Sequence, residues 1–389
     1  MYLYYLNFFI AMVLLLIIGM WIHMLYLWIR SIRYSPKLIE KRDKSFLPQP
    51  KVSIIIPARN EEKHIKGCIE SLLNQDYPNF ELILVNDRST DRTMNIINQI
   101  CIKDDRVKVI DLHSRPTDWV GNNWPSFQGY LKSTGEILLF SEANTYHMRN
   151  TTTLCVQYLL ENKLDTLNLL PRSMAYGLFT KLMLPMHTIH RHTFCSPVDA
   201  NDPKNKKIYL LGTYYMIKRD VYEKIGTHAS FKGRYDNDFF IGKKLKELKF
   251  KMKQIRGEFN LRKDTLRSWK WIFNQVSRVM IPFYQENKRG AARHTLSLLT
   301  LEFSPLVILI YSIIVTQFKD SRVFPETVVL ILSFVAILIM IVLCSLQSRY
   351  VLYQNALYGI GAPLAGCVYS FAYALGLLKA IGKASVSWR

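Results

Sequence analysis

Three short polar clusters stand out in the first half of the chain, each directly after an apolar run. They are Pro57-Ala58-Arg59-Asn60-Glu61-Glu62, Asn86-Asp87-Arg88-Ser89-Thr90-Asp91 and Ser141-Glu142-Ala143-Asn144-Thr145. Carboxylate and amide oxygens of this kind accept hydrogen bonds and coordinate hard cations. For any one cluster, an ordinary turn or a helix cap is the better explanation. Their recurrence after successive runs points instead to one shared polar site.

The elements that position these clusters follow from the pattern between residues 51 and about 252. Short β-rich runs alternate there with longer amphipathic stretches, which is typical of an α/β domain with a largely parallel sheet. The pattern predicts strands at 52–56, 80–85, 107–112 and 136–140, and helices at 61–75, 91–102 and 124–133. Ligands of such sheets bind beyond the carboxyl ends of the strands, where the three clusters fall.

Apolar runs at both ends of the chain are long enough to cross a bilayer. Residues 8–29 provide about the twenty residues that a spanning helix needs, and Arg30 and Arg33 follow directly. The positive-inside bias then places the middle of the chain in the cytoplasm. Three further runs cover residues 296–318, 325–346 and about 356–378. The last contains many small residues and Pro363, so it is either re-entrant or tightly packed against its neighbours.

The chain of 389 residues carries a net charge of +21. Such an excess indicates a polyanionic neighbour: nucleic acid, a phosphorylated ligand or an anionic membrane surface. The densest basic tract, 243–267, contains no recognised nucleic-acid module and leads into the apolar runs, which favours the last two. The six cysteines form no C-x-x-C pair, so we expect reduced thiols in a cytoplasmic protein.

The segment 178–190 has an apolar face that two arrangements explain equally well. It is either an amphipathic helix at the membrane interface that admits a lipid, or a core helix of the α/β domain. His187, His190 and His192 follow near Cys195. Their spacing matches no familiar metal site, so we expect solvated side chains.

Five motifs together carry a resemblance to a known family. They are VSIIIPARNEEKHI from Val52, ELILVNDRSTDRT from Glu81, GNNWPSFQGYLKSTGEILLFSEANT from Gly121, LLGTYYMIKRDVYEKIG from Leu210 and DNDFFIGKKLKE from Asp236. The chain resembles the membrane-anchored glycosyltransferases of family 2, which have the GT-A fold. Its apolar ends and the terminal Val386-Ser387-Trp388-Arg389 look most like the branch of hopanoid-associated and carotenoid-acid (diaponeurosporenoate-type) glycosyltransferases.

The resemblance implies a fold and a role for individual residues. The fold is α/β, with a GT-A Rossmann-like nucleotide-sugar-binding domain and transmembrane helices at both ends. The residues implied to contact the nucleotide sugar are Pro57, Ala58, Arg59, Glu61, Asp87 and Glu142. The carboxylate of Glu61 would accept from ribose hydroxyls and that of Asp87 from a ring N–H of the base, which favours uracil. Gly212 and Trp124 would lie on the acceptor side, and Asp238 would be the general base.

The chain departs from the family's pattern in three places. The D-x-D that holds a divalent ion, Mg²⁺ or Mn²⁺, is replaced by Glu142-Ala143-Asn144. Glu142 and Asn144 are still hard oxygen donors, but one formal charge is missing, which predicts weaker metal binding. Asn122 stands where the family has lysine, and Asn237 where it has the glutamate before the base. Asp236 and Asp238 are also compatible with simple capping of a helix.

These observations predict a domain organisation and a function. We expect an anchor at 1–30, a basic linker at 31–50, a GT-A domain at 51–260, a basic and aromatic interfacial segment at 261–295, and two to three transmembrane helices at 296–389. The expected activity is inverting transfer of a hexose from a nucleotide sugar, which we expect to be UDP-linked, to a membrane lipid. The expected location is a cell membrane, crossed several times, with the domain in the cytoplasm. The alternative is a catalytically impaired GT-A domain that acts as a scaffold for another glycosyltransferase.

Overall fold

The computed structural model describes residues 2–39, 49–101, 104–193, 196–205, 210–266, 268–317 and 324–382. Residues 40–48 of the predicted linker and the terminal motif at 386–389 lie outside them. The chain forms two compact units: a sheet unit from residues 34–174 and 195–265, and a helical unit from residues 1–33, 175–194 and 266–389. The sheet unit therefore includes residues 261–265, which the sequence pattern placed in the interfacial segment.

Ten strands are present among the described residues. They are β1 Val52–Ala58, β2 Phe80–Asp87, β3 Val107–Leu112, β4 Ile137–Ser141, β5 Thr145–His147, β6 Thr166–Leu170, β7 Arg172–Ala175, β8 Tyr214–Lys218, β9 Met252–Arg256 and β10 Leu261–Leu266. Seven form one sheet in the order β3-β2-β1-β4-β8-β6-β9, and the others form a small sheet in the order β5-β10-β7. In the large sheet only β8 runs antiparallel to its neighbours. The predicted α/β fold with a largely parallel sheet is confirmed.

Fourteen α-helices are found in the same residues. They are α1 Tyr2–Tyr34, α2 Ile65–Leu73, α3 Thr93–Cys101, α4 Asn123–Leu131, α5 Thr151–Glu161, α6 Leu178–Thr193, α7 Pro197–Ala200, α8 Arg219–Lys224, α9 Asn237–Glu247, α10 Trp269–Glu286, α11 Lys288–Leu298, α12 Ser304–Gln317, α13 Phe324–Tyr350 and α14 Ala362–Ile381. The first predicted helix begins four residues late because residues 61–64 form a turn, in which the N–H of His64 donates to the carbonyl of Glu61 at 2.9 Å.

The strands β1 and β2 of the large sheet are buried on both faces. On β1, Ile54 and Ile56 belong to one apolar cluster and Ile55 to the other. The first cluster includes residues of α2 and α5, and the second includes residues of α8 and α9. A strand covered on both faces has no polar side, which explains why β1 and β2 are continuous apolar runs rather than alternating ones. The polar residues are therefore confined to the strand ends.

The helical unit holds four helical stretches, among the described residues, that are long and apolar enough to span a membrane. They are Tyr2–Tyr34, Lys288–Gln317, Glu326–Tyr350 and Ala356–Ile381. Pro363 does not break the last one, since it lies in the first turn of α14, where a missing N–H costs little. A Cβ on Gly376 would lie 3.2 Å from Cβ of Met280, so α14 packs closely on α10, as its small residues predicted.

Helix α6 belongs to the helical unit, which excludes the alternative of a core helix in the α/β domain. Met183, Leu184, Met186 and Ile189 share an apolar core with residues of α1, α13 and α14. The expectation of solvated histidines was wrong for His192. His192 is buried, with Nδ1 3.2 Å from Oγ of Ser31, because the polar rings face partners on neighbouring helices rather than water.

The other two histidines of α6 are partly exposed, but each also has a partner on a neighbouring helical segment. Nε2 of His190 lies 2.8 Å from Oε1 of the buried Glu302. The ring of His187 stacks on that of Tyr369, with the centroids 5.5 Å apart. The thiols agree better with the sequence, since Cys68, Cys155, Cys344 and Cys367 are all free.

Candidate active site

The polar loops that follow β1 and β2 are bound to each other. The N–H of Asn60 donates to Oγ of Ser89 at 3.1 Å, and Oδ1 of Asn60 accepts from the N–H of Thr90 at 2.8 Å. The N–H of Glu61 donates to Oγ1 of Thr93 at 2.8 Å. Asn60 has φ of +55°, a left-handed conformation that asparagine tolerates better than most residues. The first two predicted clusters thus form one connected surface at the carboxyl edge of the sheet.

Asp87, the predicted base contact, is buried at the end of β2. Its two oxygens accept from Nε and Nη2 of Arg88 at 2.7 and 3.1 Å. Burial, together with repulsion by Arg88 and Arg115, lowers the pKa of Arg59, which Asp87 only partly offsets. Nη1 of Arg115 is buried without a hydrogen-bond partner. Mutually repelling guanidinium groups and an unused donor favour an anionic ligand beside Asp87.

Arg115 was missed by the sequence analysis because it lies beyond the three clusters, after β3. The signal that could have found it is the strand order: β3 pairs parallel with β2, so the loop after β3 opens at the same edge as Asp87. Pro57 and Ala58 are the last residues of β1, and Ala58 pairs with Asn86 in the register of β1 and β2. The predicted nucleoside contacts therefore lie on adjacent strand ends.

Glu142, directly after β4, contacts a lysine that the sequence analysis did not assign to the site. Nζ of Lys263, on β10, lies 2.9 Å from Oε1 and 2.7 Å from Oε2 of Glu142. The same Nζ donates to Oγ1 of Thr213 at 2.9 Å, and that hydroxyl lies 3.2 Å from Oε1 of Glu142. Thr213 is fully buried just before β8. Three strands thus bring a carboxylate, a hydroxyl and an ammonium together.

Asn144, the second predicted metal ligand, is oriented by the same strand β10. Its Nδ2 donates to the carbonyl of Asp264 at 2.9 Å, and its backbone carbonyl accepts from the N–H of Asp264 at 3.2 Å. The carboxylate of Asp264 lies 3.0 Å from Nδ1 of His64, just before α2. Oδ1 of Asn144 is buried and has no hydrogen-bond partner. The position of Asn144 is fixed, but its oxygen is not open to the surface.

Asp238, the predicted base, lies in the first turn of α9 and contacts the predicted acceptor-side glycine. Oδ2 of Asp238 accepts from the N–H of Gly212 at 2.8 Å. A Cβ on residue 212 would lie only 2.4 Å from Oδ1, so only glycine leaves room for this carboxylate. Burial, and to a lesser extent the charge of Glu142, raises the pKa of Asp238 to about 6, against the opposing effect of Gly212 N–H and Lys263. A carboxylate with this pKa is basic enough to take up a proton near neutral pH.

Two of the three departures from the family's pattern contact each other. Nδ2 of Asn237 donates to Oδ1 of Asn122 at 2.8 Å and to Oδ1 of Asn123 at 2.7 Å. Oδ1 of Asn237 in turn accepts from the N–H of Asp238 at 2.8 Å. Two amides therefore stand where the resemblance implies a lysine and a glutamate. The contact at the start of α9, beside Asp238, is therefore made by uncharged groups.

The other carboxylate of the motif points elsewhere. Asp236 accepts from Nε and Nη2 of Arg234 at 3.0 and 2.8 Å, and it makes no side-chain cap of α9. Trp124 lies in the first turn of α4 and packs edge-on against Trp119, with the centroids 5.0 Å apart. Its indole Nε1 is buried without a hydrogen-bond partner.

The part of the chain that matches a known family model lies within the domain predicted at residues 51–260. Residues 53–226 match the family model described as Glycosyl transferase family 2. The chain is 30% identical over 186 residues to the probable glycosyltransferase YdaM of Bacillus subtilis, a match that covers 46% of this chain and 42% of that protein. It is 37% identical over 98 residues to the poly(ribitol-phosphate) beta-glucosyltransferase of Bacillus spizizenii, covering 25% and 15%. The chain thus spans less than half the length of these relatives.

Among solved structures, the chain is similar to the mannosyltransferase PcManGT from Pyrobaculum calidifontis, solved in complex with GDP-Man and Mn²⁺. The TM-score is 0.54 at 13% identity, and the match covers 97% of this chain and 100% of that chain. This likeness shows the fold. The branch that the apolar ends and the terminal motif indicated stays a prediction.

Proposed function

Since residues 53–226 match the family model described as Glycosyl transferase family 2, we propose that the protein transfers a hexose from a nucleotide sugar, UDP-linked, to a hydroxyl or carboxyl group of a membrane lipid at the cytoplasmic face. The observation that carries the proposal is the carboxylate of Asp238. Gly212 holds it in place, and burial sets its pKa to about 6. The scaffold alternative has no need for a base tuned in this way.

The proposed reaction follows from the positions of the groups. Asp238 takes the proton of the acceptor group, and the acceptor oxygen forms a new bond to the anomeric carbon of the sugar. The bond from that carbon to the diphosphate breaks, and its electron pair leaves with the nucleoside diphosphate. Inversion follows because attack and departure occur on opposite faces. Arg59 and Arg115 support binding of the anionic donor, and Asp87 supports recognition of the base.

Positive charge must stabilise the negative charge that develops on the departing diphosphate. The resemblance implies Mg²⁺ or Mn²⁺ at Glu142 and Asn144, and the surroundings of Glu142 bear on whether such an ion fits. The lipid acceptor is supported by the four spanning helices of the same chain and by the basic residues that follow α1. A water-soluble donor and a bilayer-soluble acceptor can meet only at an interface.

The test is the lipid composition of cells with and without the intact gene. We expect mass spectrometry to show one glycolipid missing without the gene and restored by the wild-type gene, but not by Asp238→Asn. Asp236→Asn is the matched control, because Asp236 is paired with Arg234 and should retain most of the product. Restoration by Asp238→Asn would exclude the proposed base, and an unchanged lipid profile would favour the scaffold.

A further inference from the structure

The carboxylate that should hold a metal is already paired with a cation. Nζ of Lys263 lies within 2.9 Å of both oxygens of Glu142. Thr213 fixes the arrangement, because its hydroxyl is within hydrogen-bond distance of the lysine and of the glutamate. A divalent ion on Glu142 would have to displace the ammonium and leave it beside the metal, where the two positive charges repel each other.

The remaining donors do not make a metal site either. Asn144 contributes a neutral, buried oxygen, and its amide group is held by the carbonyl of Asp264. No group of three or more His, Cys, Asp or Glu side chains suited to a metal ion occurs in the part of the chain that the structure describes. A hard divalent cation prefers several oxygen ligands with negative charge among them. The residues present therefore do not fit the Mg²⁺ or Mn²⁺ that the resemblance implies.

The charge of the cluster explains how the site can work without the ion. Two aspartates with one divalent cation have a net charge of zero, and so do one glutamate and one lysine. The replacement of D-x-D by Glu142-Ala143-Asn144 and the presence of Lys263 thus preserve the balance opposite the diphosphate. Lysine is a common phosphate ligand and acts as a compact positive charge.

Resting on the proposed function, we propose that Lys263 replaces the divalent ion: its ammonium binds the donor's diphosphate and stabilises the negative charge that the diphosphate gains when the bond to the sugar breaks. The electron pair of that bond stays on the diphosphate, and the acceptor proton goes to Asp238. Glu142 and Thr213 are positioning residues, which hold the ammonium until the donor binds. The enzyme is then independent of divalent metal.

Nucleotide binding provides the first measurement. We would titrate UDP, and separately GDP, into the full-length protein in detergent by calorimetry, once with EDTA and once with Mn²⁺. We expect the same affinity under both conditions and a loss of at least about tenfold in Lys263→Met. Arg262→Met is the matched control, because Arg262 is the exposed neighbour on β10 and its change should leave affinity unaltered.

Turnover provides the second measurement, as release of nucleoside diphosphate from a nucleotide sugar with a lipid extract as acceptor. We expect full activity in EDTA, a loss of about 100-fold or more in Lys263→Met, and partial activity in Lys263→Arg. Because Lys263→Met leaves Glu142 unpaired, we would also make the triple variant Glu142→Asp, Asn144→Asp, Lys263→Met. It restores D-x-D and should regain turnover only with Mn²⁺.

The outcomes separate two failures. Wild-type binding and turnover that require Mn²⁺, with Lys263→Met as active as the wild type, would overturn the role of Lys263 and leave the glycosyltransferase proposal standing. A wild-type protein that binds neither nucleotide in EDTA or in Mn²⁺ would overturn both. A triple variant that folds but is active in EDTA would show that the positive charge comes from elsewhere.

Discussion

A single methyl group at residue 212 should disable the proposed base. In Gly212→Ala the new Cβ would lie 2.4 Å from Oδ1 and 2.6 Å from Oδ2 of Asp238, whereas ordinary contacts begin at 3.4 Å. The carboxylate must therefore move by about 1 Å, and a displacement of that size can cost about 100-fold in rate. The loss should appear in kcat, because Gly212 is not among the residues proposed to bind the nucleotide.

The assay compares turnover and UDP binding for three proteins. We expect Gly212→Ala to bind UDP as the wild type does and to release nucleoside diphosphate about 100 times more slowly. Gly67→Ala is the control, since a Cβ at that position on α2 meets no atom within 4 Å and should leave turnover unchanged. Wild-type turnover in Gly212→Ala, with the protein folded, would refute the assignment of Asp238 as a base held by this contact.

Four further predictions concern pH and stability. Turnover should fall about tenfold per pH unit below about pH 6, as Asp238 becomes protonated, and a rate still constant at pH 5 would contradict this. Because the raised pKa means that the folded state disfavours the charged form, Asp238→Asn should raise the melting temperature at pH 8 but not at pH 4. Asn237→Ala and Asn122→Ala should each lower the free energy of unfolding by about 1 to 3 kcal/mol, and the double variant should lower it by less than the sum of the two. Strictly additive losses would exclude the contact between the two amides. Glu81→Gln should lower the free energy of unfolding by about 2 to 3 kcal/mol at pH 7, because hydrogen bonds from Lys108, Ser53 and Thr134 outweigh burial and hold the pKa of Glu81 at about 2. The difference in free energy between the variant and the wild type should vanish as the pH falls from 4 through 2. A difference that persisted there would contradict this link between pKa and stability.

How far the sequence predicts this site depends on the distance between the interacting residues along the chain. The ends of β1, β2 and β4 were predictable because each buried strand is a continuous apolar run, and polar residues begin where burial stops. The family resemblance implied a role for Gly212 and for Asp238 but not their contact, since nothing in the local pattern relates a loop before β8 to the start of α9. The polar ends of β1, β2 and β4 are therefore the part of the site that the sequence predicts.

Lys263 shows where such reasoning fails. It lies 121 positions after Glu142, on a strand whose only mark in the sequence is a basic tract. The pairing of β10 with β5 brings the two side chains together, and strand pairing over that separation has no local signal. The sequence alone shows that Glu142-Ala143-Asn144 has one carboxylate fewer than D-x-D. It does not show that Lys263 lies beside Glu142, because the small sheet β5-β10-β7 is what brings the two together.

The way the chain alternates between its two units has a consequence for biosynthesis and for fragment design. A fragment of residues 34–265 would retain α6 but lack α1, α13 and α14, so Met183, Leu184 and Met186 would be exposed to solvent and favour aggregation. A soluble form should instead replace residues 176–194 with a short polar connection. During synthesis, about seventy residues are added between β4 and its partner β8, and α6 is among them. The sheet unit therefore completes its large sheet only after α6, a part of the helical unit, has been synthesised.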